Sequence, residues 1–318
     1  MNLNRYSKIV VALSLIVTVF VPVSASAAYK VENIDVANAQ YQDFVVGPGK
    51  VEIEIAPGES KTSLITVSNR TGGKRVFHLE VEDFTGSKNP NEAVVLLGDE
   101  RGPYSLKDFL KFESSTFELE NGERATIPVT VSVPTDVEPG GRYGSVLVST
   151  TQREATSAQS TAIVSRLGVL YFVKIPGAVN EDGKLSGFST IGNKKIYGGG
   201  PISMRLLYEN TGSVYVNPYG EIRIKNLFGE EVGLVEVDPW FSLPQSVRLR
   251  EVSWNRPFLF GRYTATASIN RGYGDIVDTM QISFWVIPWK IALGVLGGIF
   301  VLILALRFVV TRFEIKKK

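Results

Sequence analysis

The amino-acid sequence predicts an all-β fold with two antiparallel β-sandwiches in tandem, followed by one C-terminal transmembrane α-helix. Short segments such as 51–55 and 127–133 alternate apolar and polar residues, which is the period of a half-buried strand. Turn signals such as Asn121-Gly122 separate these segments. Many short strands at this spacing, with almost no helical periodicity, are typical of β-sandwiches.

Residues 1–27 have the pattern of a secretory signal peptide. Arg5 and Lys8 precede an apolar run at 9–21, and small residues end the segment at Ala27. A basic start, a short apolar core and an A-x-A-like end predict cleavage after Ala27. The apolar run is short for a membrane span, which disfavours an uncleaved anchor.

The composition narrows the chemistry that the chain can perform. It contains no cysteine and one histidine, His78. Thiol nucleophiles, disulfides and cysteine-ligated metal sites are therefore excluded, and a Ser-His-Asp triad would need His78. The part of the chain between its two terminal segments is net negative, which argues against a nucleic-acid partner. We predict a non-enzymatic protein with no cofactor and no catalytic, cofactor-binding or metal-ligating residues.

Residues 287–311 predict a single transmembrane helix. The stretch 291–306 contains no charged residue, and about 22 apolar residues cross a bilayer at a rise of about 1.5 Å per residue. The basic tail at 312–318 predicts a cytoplasmic C-terminus, with the N-terminal ectodomain outside the cell membrane. Gly294 and Gly298 form a G-x-x-x-G pattern that could pair two such helices in a homodimer, although glycine is common in membrane helices.

Two sequence motifs occur twice, in the same order, in the segment between the signal peptide and the helix. Asn69 and Asn210 each end a predicted strand just before a turn that contains Thr-Gly, and Gly-Arg-Tyr opens a later strand at Tyr143 and again at Tyr263. The first copy is longer because of an excursion at 88–112, in which we predict a single helical turn.

These repeated motifs predict one immunoglobulin-like sandwich at 28–178 and a second at 179–286, joined by a short linker around 176–183. Tyr143 and Tyr263 occupy the place of the corner tyrosine of such folds, whose hydroxyl bonds to backbone across a loop. We interpret both tyrosines as structural rather than as ligand contacts.

Several motifs of the predicted first domain resemble a known family. They are Ala56-Pro57-Gly58-Glu59-Ser60, Val67-Ser68-Asn69, Phe117-Glu118-Leu119-Glu120-Asn121-Gly122-Glu123, Val133-Pro134 and Glu138-Pro139-Gly140-Gly141-Arg142-Tyr143. They resemble the N-terminal domain of the WxL-interacting bacterial cell-surface proteins, and the order of signal peptide, this domain, a second immunoglobulin-like domain and a membrane anchor is similar too. The resemblance implies a first domain associated with peptidoglycan and a second domain presented to other proteins. It implies no catalytic residue.

A weaker resemblance is to the PapD-like pilus chaperones, which also pair two such sandwiches. The last strand of their first domain alternates apolar residues, as the segment 162–173 does here. The resemblance implies a protein that completes a partner's sheet by strand addition, in which case a charge at Leu167 or Val169 would abolish the complex. Lys174 alone is a poor match to the paired basic anchor of that family. The segment is otherwise interpreted as a buried last strand of the first sandwich.

Other candidate sites have two interpretations each. His78 shares a predicted strand face with Glu80 and Glu82, which suits either a cation or a solvated surface. The polar loop 150–160 suits either recognition or simple tolerance of insertions. Gly198-Gly199-Gly200 is interpreted as a flexible loop, because a phosphate loop would lead into a helix and a strand is predicted here.

The aromatic residues Trp240, Phe241 and Trp254 are interpreted as parts of the second core or as an aromatic contact patch. The leading prediction is a single-pass cell-envelope surface protein that binds peptidoglycan, protein partners or both through its tandem domains. The alternative is a membrane-tethered chaperone or assembly factor that acts by β-strand addition. The sequence assigns no binding residue to either function.

Overall fold

The computed structural model describes residues 28–34, 43–152 and 163–312. The predicted signal peptide at 1–27 lies outside the described residues. Most of the predicted loop at 150–160 and nearly all of the basic tail also lie outside them.

The first sandwich is built from strands β1 to β11. They are β1 (Lys30–Asn33), β2 (Asp43–Gly47), β3 (Lys50–Glu54), β4 (Ser60–Arg70), β5 (Arg75–Thr85), β6 (Val95–Leu96), β7 (Leu110–Lys111), β8 (Thr116–Leu119), β9 (Glu123–Ser132), β10 (Gly140–Gln152) and β11 (Ile163–Ile175). One sheet has the order β1-β9-β4-β2, with β7 also paired to β9. The other has the order β3-β11-β10-β5-β6, with β8 also paired to β5. The pairs are antiparallel except for β3 with β11, which is parallel.

The second sandwich is built from strands β12 to β19. They are β12 (Gly183–Thr190), β13 (Ile196–Tyr197), β14 (Ile202–Asn210), β15 (Tyr219–Asn226), β16 (Glu231–Val237), β17 (Ser246–Trp254), β18 (Gly261–Asn270) and β19 (Val277–Val286). The sheets have the orders β12-β14-β17 and β13-β19-β18-β15-β16. The predicted all-β fold of two immunoglobulin-like sandwiches is confirmed.

Both sandwiches divide their first long segment between the two sheets. In the first sandwich β2 pairs antiparallel with β4, and β3 then pairs parallel with the last strand, β11. In the second sandwich β12 pairs antiparallel with β14, and β13 pairs parallel with the last strand, β19. The two halves that share sequence motifs therefore also share this strand topology.

The inward faces of the alternating strands form a core in each sandwich. Along β9 the inward residues Ile127, Val129 and Val131 are fully or almost fully buried, whereas the residues between them are half-buried. Along β14 the same alternation buries Met204 and Leu206. Since successive strand residues point to opposite faces, every second side chain reaches the core.

The asparagines of the two copies make the same buried bonds. The Nδ2 of Asn69 donates to the carbonyl four residues further on and to that of Leu119, both at 2.8 Å. The Nδ2 of Asn210 donates to the carbonyl four residues further on at 2.9 Å and to that of Ser242 at 2.8 Å. In both cases the Oδ1 accepts the backbone N–H two residues on. Each asparagine side chain therefore satisfies backbone hydrogen-bonding groups of its own turn and links that turn to a neighbouring segment.

The excursion of the first sandwich contains the expected turn. The buried carboxylate of Asp83 accepts the backbone N–H groups of Leu106 and Lys107 at 3.0 and 2.9 Å. The Phe109 N–H then donates to the carbonyl of Leu106 at 2.9 Å. Leu106 is fully buried, so this turn contributes a side chain to the first core.

After the second sandwich the chain enters a helix, α1 (Trp289–Arg312). Its stretch from Trp289 to Phe308 is long and apolar enough to cross a membrane, and it is not buried against the rest of the chain. Twenty residues correspond to about 30 Å, the thickness of a bilayer core. Gly294 and Gly298 lie on α1, and the homodimer predicted from them stays a prediction.

Candidate functional site

The last strand of the first sandwich has an edge that is only partly covered. On one side β11 pairs with β10 over its whole length, from Ile163 to Ile175. On the other side β3 pairs only with residues 170–174 of β11. Residues 163–169 therefore have no strand partner on that side within the described parts of the chain. An unpaired edge of this kind carries backbone N–H and C=O groups that can bind another strand.

The alternation along β11 continues beyond the closed core. Val169, Tyr171 and Val173 point inward and are fully buried. Leu167 belongs to the same face, yet it is 43% exposed, and on the opposite face Val164 is 59% exposed. The predicted buried last strand is therefore correct for the second half of β11 but wrong for its first half, in which residues 164–168 are exposed.

A cleft of about 400 Å³ lies beside the open edge. Its lining consists of Asp43, Phe44, Thr71, Arg75, Thr150, Ser165, Arg166 and Leu167. Phe44 comes from β2, the edge strand of the other sheet, so the cleft opens between the edges of the two sheets. The buried ring of Phe44 packs edge-on against Phe77 with ring centroids 5.4 Å apart, which gives the cleft an apolar floor.

Charged groups border this cleft. Asp43 accepts two hydrogen bonds from the guanidinium of Arg70, at 2.9 and 2.7 Å. The Nε of Arg75 is buried and has no hydrogen-bond partner among the described residues. A buried N–H without a partner is costly, and a carbonyl or carboxylate oxygen of a ligand would satisfy it.

Arg166 joins the open half of β11 to β5. Its guanidinium donates to the carboxylates of Glu82 and Glu80, the latter at 2.8 Å. These carboxylates raise the pKa of Arg166 above its ordinary value, chiefly through the hydrogen bond to Glu82. The ion pair holds the outward face of the open segment against its sheet, which leaves the backbone edge and Leu167 accessible.

The structure separates His78 from this arrangement. His78 and Glu80 are exposed on β5 and alternate with the buried Phe77 and Leu79, as predicted. The Nδ1 of His78 lies 3.2 Å from the hydroxyl of Thr116, and the two glutamates on this face pair with Arg166. Among the described residues no group of three or more His, Asp or Glu side chains could hold a metal ion.

The two candidate tyrosines have different roles. The hydroxyl of Tyr263 bonds to both the N–H and the carbonyl of Phe260 at 3.1 Å, as expected for a corner tyrosine. The hydroxyl of Tyr143 does not bond across its own loop. It accepts the backbone N–H of Tyr215 in the second sandwich at 2.8 Å. Burial raises the pKa of Tyr143 above its ordinary value.

An aromatic cluster surrounds this bond and joins the two sandwiches. Phe172 of β11 contacts Tyr215 and Phe241, each with ring centroids 5.1 Å apart. The cluster also includes Phe84, Tyr104 and Leu243. Phe241 therefore packs at the junction, whereas Trp240 and Trp254 are buried in the second core. The core interpretation is correct for the two tryptophans.

The excursion of the first sandwich also contacts the second one. The N–H of Val247 donates to the carbonyl of Ser87 at 3.0 Å, and that of Leu249 to the carbonyl of Pro90 at 3.2 Å. These bonds cover the outer edge of β17 with backbone from the first sandwich. The greater length of the first copy of the repeat predicted this excursion, but the sequence did not predict that the excursion would contact β17.

Sequence reasoning selected Leu167 but missed Phe44 and Arg75. Both belong to alternating segments, and alternation indicates which face is buried without indicating that a neighbouring edge is open. It also selected Val169, which is fully buried. A charge at Val169 would therefore disrupt the core whatever the function of the edge.

Three comparisons with known proteins were made. A scan of family models and a search of curated proteins each found no match, so the resemblance to the WxL-interacting family has no support from either. The similar solved structures include the class 5 fimbriae chaperone CfaA, at 12% identity over 76% of this chain and 99% of that chain, with a TM-score of 0.38.

Two further similar structures are chaperones or contain one. The E. coli chaperone DraB is 14% identical over 77% of this chain and 97% of that chain, with a TM-score of 0.32. A chain from the complex of the Salmonella enterica SafA pilin with the SafB chaperone is 12% identical over 77% of this chain and 96% of that chain, with a TM-score of 0.35.

Proposed function

We propose that this protein is a non-enzymatic, membrane-anchored binding protein that takes up an extended segment of another polypeptide by strand addition at the open edge of β11. The observation that carries the proposal is the backbone edge of residues 163–169, which pairs with no other described strand on one side and borders a cleft containing Phe44 and Leu167. In strand addition, main-chain hydrogen bonds supply affinity and pockets for alternate side chains supply specificity.

The geometry gives the incoming segment a defined place. β3 covers the edge from Leu170 onward, so an added strand would continue the line of β3 along residues 163–169. Side chains on its inward face would contact Leu167 and Phe44, which are apolar. A carbonyl or carboxylate of the segment would meet the unpartnered Nε of Arg75. The ligand class that fits is therefore an extended peptide with apolar residues at alternate positions.

The proposed architecture places this edge outside the cell. Residues 1–27 act as a cleaved signal peptide, 28–178 and 179–286 as the two domains, 287–311 as the single span and 312–318 as the cytoplasmic tail. The apolar character of α1 supports the span, and the basic residues of the tail support its orientation. Peptidoglycan binding stays a prediction from the sequence, since no group in the described residues is assigned to it.

The experiment uses the full chain in lipid nanodiscs and a phage-displayed library of twelve-residue peptides with apolar residues at alternate positions. Peptides enriched on the wild-type chain are then tested on Leu167→Asp. We expect at least a tenfold loss of affinity, because a charge would face the apolar cleft. Leu64→Asp is the matched control, because Leu64 is an exposed leucine on β4, away from the cleft.

Hydrogen exchange supplies the second readout. The bound peptide should slow exchange of backbone amides within residues 163–169 and leave the amides of β9 unchanged. Equal affinity of the wild-type chain and the Leu167→Asp variant, or protection located on another strand, would refute strand addition at β11. A normal circular dichroism spectrum of Leu167→Asp confirms that its sandwich is folded.

A further inference from the structure

One end of the second sandwich is held next to the start of α1 by the strand register. β18 begins at Gly261, which pairs with Val286 at the end of β19. Only two residues separate Val286 from Trp289, the first residue of α1. Three residue steps span at most about 10 Å. Whatever surface lies at this end of the sandwich is therefore close to the membrane that α1 enters.

Three loops gather at this end, which we call the exit tip, defined as residues 191–201, 226–231, 255–260 and the connection 287–288. The 3.3 Å bond from the N–H of Gly200 to the carbonyl of Pro257 joins the first and third loops. A Cβ on Gly200 would collide with the carbonyl of Arg256, so this approach is close. The Nη1 of Arg256 donates to the carbonyl of Val232 in β16 at 2.8 Å, which ties the third loop to the strand that follows the second loop.

The exit tip exposes large apolar side chains. Phe258 is 66% exposed, Phe260 71% and Phe228 84%. Between the first two, Leu259 is almost completely buried in the second core and anchors its loop. The exposed apolar set at this end also includes Ile196, Leu227, Trp285 and Ile287. An apolar group of this size on a folded domain marks a binding surface.

The charged side chains of the exit tip and its adjoining strand ends are mainly basic. The exposed basic residues are Lys194, Lys195, Lys225, Arg256, Arg262 and Lys290. The acidic residues there are Glu230 and Glu231. Glu230 accepts a hydrogen bond from Asn226 at 2.8 Å, and Glu231 accepts one from Arg223 at 3.2 Å. Aromatic rings beside lysine and arginine suit the headgroup region of a bilayer with anionic lipids.

We infer that the exit tip rests in the headgroup region of the bilayer, with Phe228, Phe258 and Phe260 inserted at the interface. The inference rests on the proposed membrane anchor and extends it to a second, independent contact with lipid. The short connection to α1 favours lipid over a soluble partner, because it holds this surface at the membrane. The contact would fix the orientation of the second sandwich relative to the bilayer. Through the Tyr143–Tyr215 bond it would also fix the orientation of the first.

The chain contains no cysteine, so single-cysteine variants allow unambiguous labelling. We would attach a nitroxide to Phe258→Cys, Phe260→Cys and two references in the full chain, reconstituted in nanodiscs of phosphatidylcholine and phosphatidylglycerol. Leu296→Cys, in α1, reports the anchor. Val277→Cys, exposed at the opposite end of β19, reports the aqueous phase.

Collision rates with lipid-soluble oxygen and a water-soluble nickel chelate are then compared. At Phe258 and Phe260 we expect an oxygen-to-nickel ratio at least twofold above that at Val277. If Leu296 lies in lipid while both tip positions match Val277, the tip inference is wrong and the anchor stands. If Leu296 itself is accessible to nickel, the anchor and the inference both fail. Protection of the tip positions from both reagents would show that a protein or a second copy covers the tip, and would also overturn the inference.

Discussion

In the second sandwich β12 packs extensively against β19, whereas the contact between the corresponding strands of the first sandwich, β2 and β11, is less extensive. The N–H of Leu185 in β12 donates to the carboxylate of Asp278 in β19 at 2.8 Å, and Arg271 forms a bidentate ion pair with the same carboxylate. β2, which corresponds to β12, contributes Phe44 to the cleft beside Leu167.

The second sandwich has its own, smaller cleft of about 310 Å³ between the end of β12 and β19. Its lining combines polar residues such as Asn193, Lys194 and Ser283 with the apolar Phe188 and Ile282, and it is therefore about as polar as the cleft beside β11. The two edges differ in the bonds that tie their strands together. In the second sandwich, hydrogen bonds from Leu185 and Arg271 to Asp278 link β12 to β19 and to the end of β18.

The largest effect is expected from the feature that the two sandwiches share. Asn69→Ala and Asn210→Ala each leave two carbonyls and one N–H without their buried partner. Each should lower the free energy of unfolding of its sandwich by about 2–4 kcal/mol. Urea unfolding of the full chain in detergent, combined with hydrogen exchange, would measure the loss and locate it. The exposed Asn255→Ala is the control. A loss below 1 kcal/mol in either variant would contradict the equivalence of the two turns.

The two corner tyrosines should differ in a second comparison. Tyr143→Phe leaves the N–H of Tyr215 without its acceptor at the buried junction, which should cost about 1–3 kcal/mol. Tyr263→Phe breaks a bond within one loop and should cost about 1 kcal/mol. Hydrogen exchange should show the first change in both sandwiches and the second only in the second sandwich. Confinement of the Tyr143→Phe effect to the first sandwich would refute the coupling.

Removing the Arg271–Asp278 ion pair should loosen the contact between β12 and β19 in the second sandwich. Asp278→Asn abolishes the charge that Arg271 pairs with, and it weakens the bond from the N–H of Leu185. We expect a loss of about 1–2 kcal/mol, because the pair is only partly exposed. Amides in residues 278–283 should exchange faster. Unchanged exchange there would show that packing alone closes this edge.

The smallest effect concerns alkaline pH. Burial raises the pKa of Tyr143 above its ordinary value of about 10 and that of Tyr215 to about 12. The stability gained by keeping these hydroxyls neutral is fully present below pH 10 and is lost as pH rises through the folded-state pKa values. The stability difference between wild type and Tyr143→Phe should therefore shrink above pH 10, by up to about 1.4 kcal/mol per pH unit.

Urea midpoints measured from pH 9 to pH 12 would test this dependence, with Tyr263→Phe as the reference. A gap between wild type and Tyr143→Phe that stays constant with pH would show that the hydroxyl of Tyr143 is not buried.

The sequence by itself determined the architecture of this protein. Alternating segments and turn residues predicted two sandwiches, and the repeated Asn and Tyr motifs predicted that they are related. The uncharged run after residue 290 predicted α1. These features are local, since a two-residue period reports which face of a strand is buried and a long apolar run reports a helix that needs no aqueous surface.

Only the tertiary structure decided which surfaces remain available. Leu167 and Val169 share the same alternation, yet Leu167 is exposed and Val169 is buried. β3 begins only at Lys50, opposite Leu170, and so pairs with only part of β11. Tyr143 and Tyr263 open their strands with the same motif, yet one bonds to the other sandwich. The exit tip likewise assembles from loops far apart in sequence. Edges, junctions and tips are formed by chain segments that meet in space, and periodicity along one segment carries no information about that meeting.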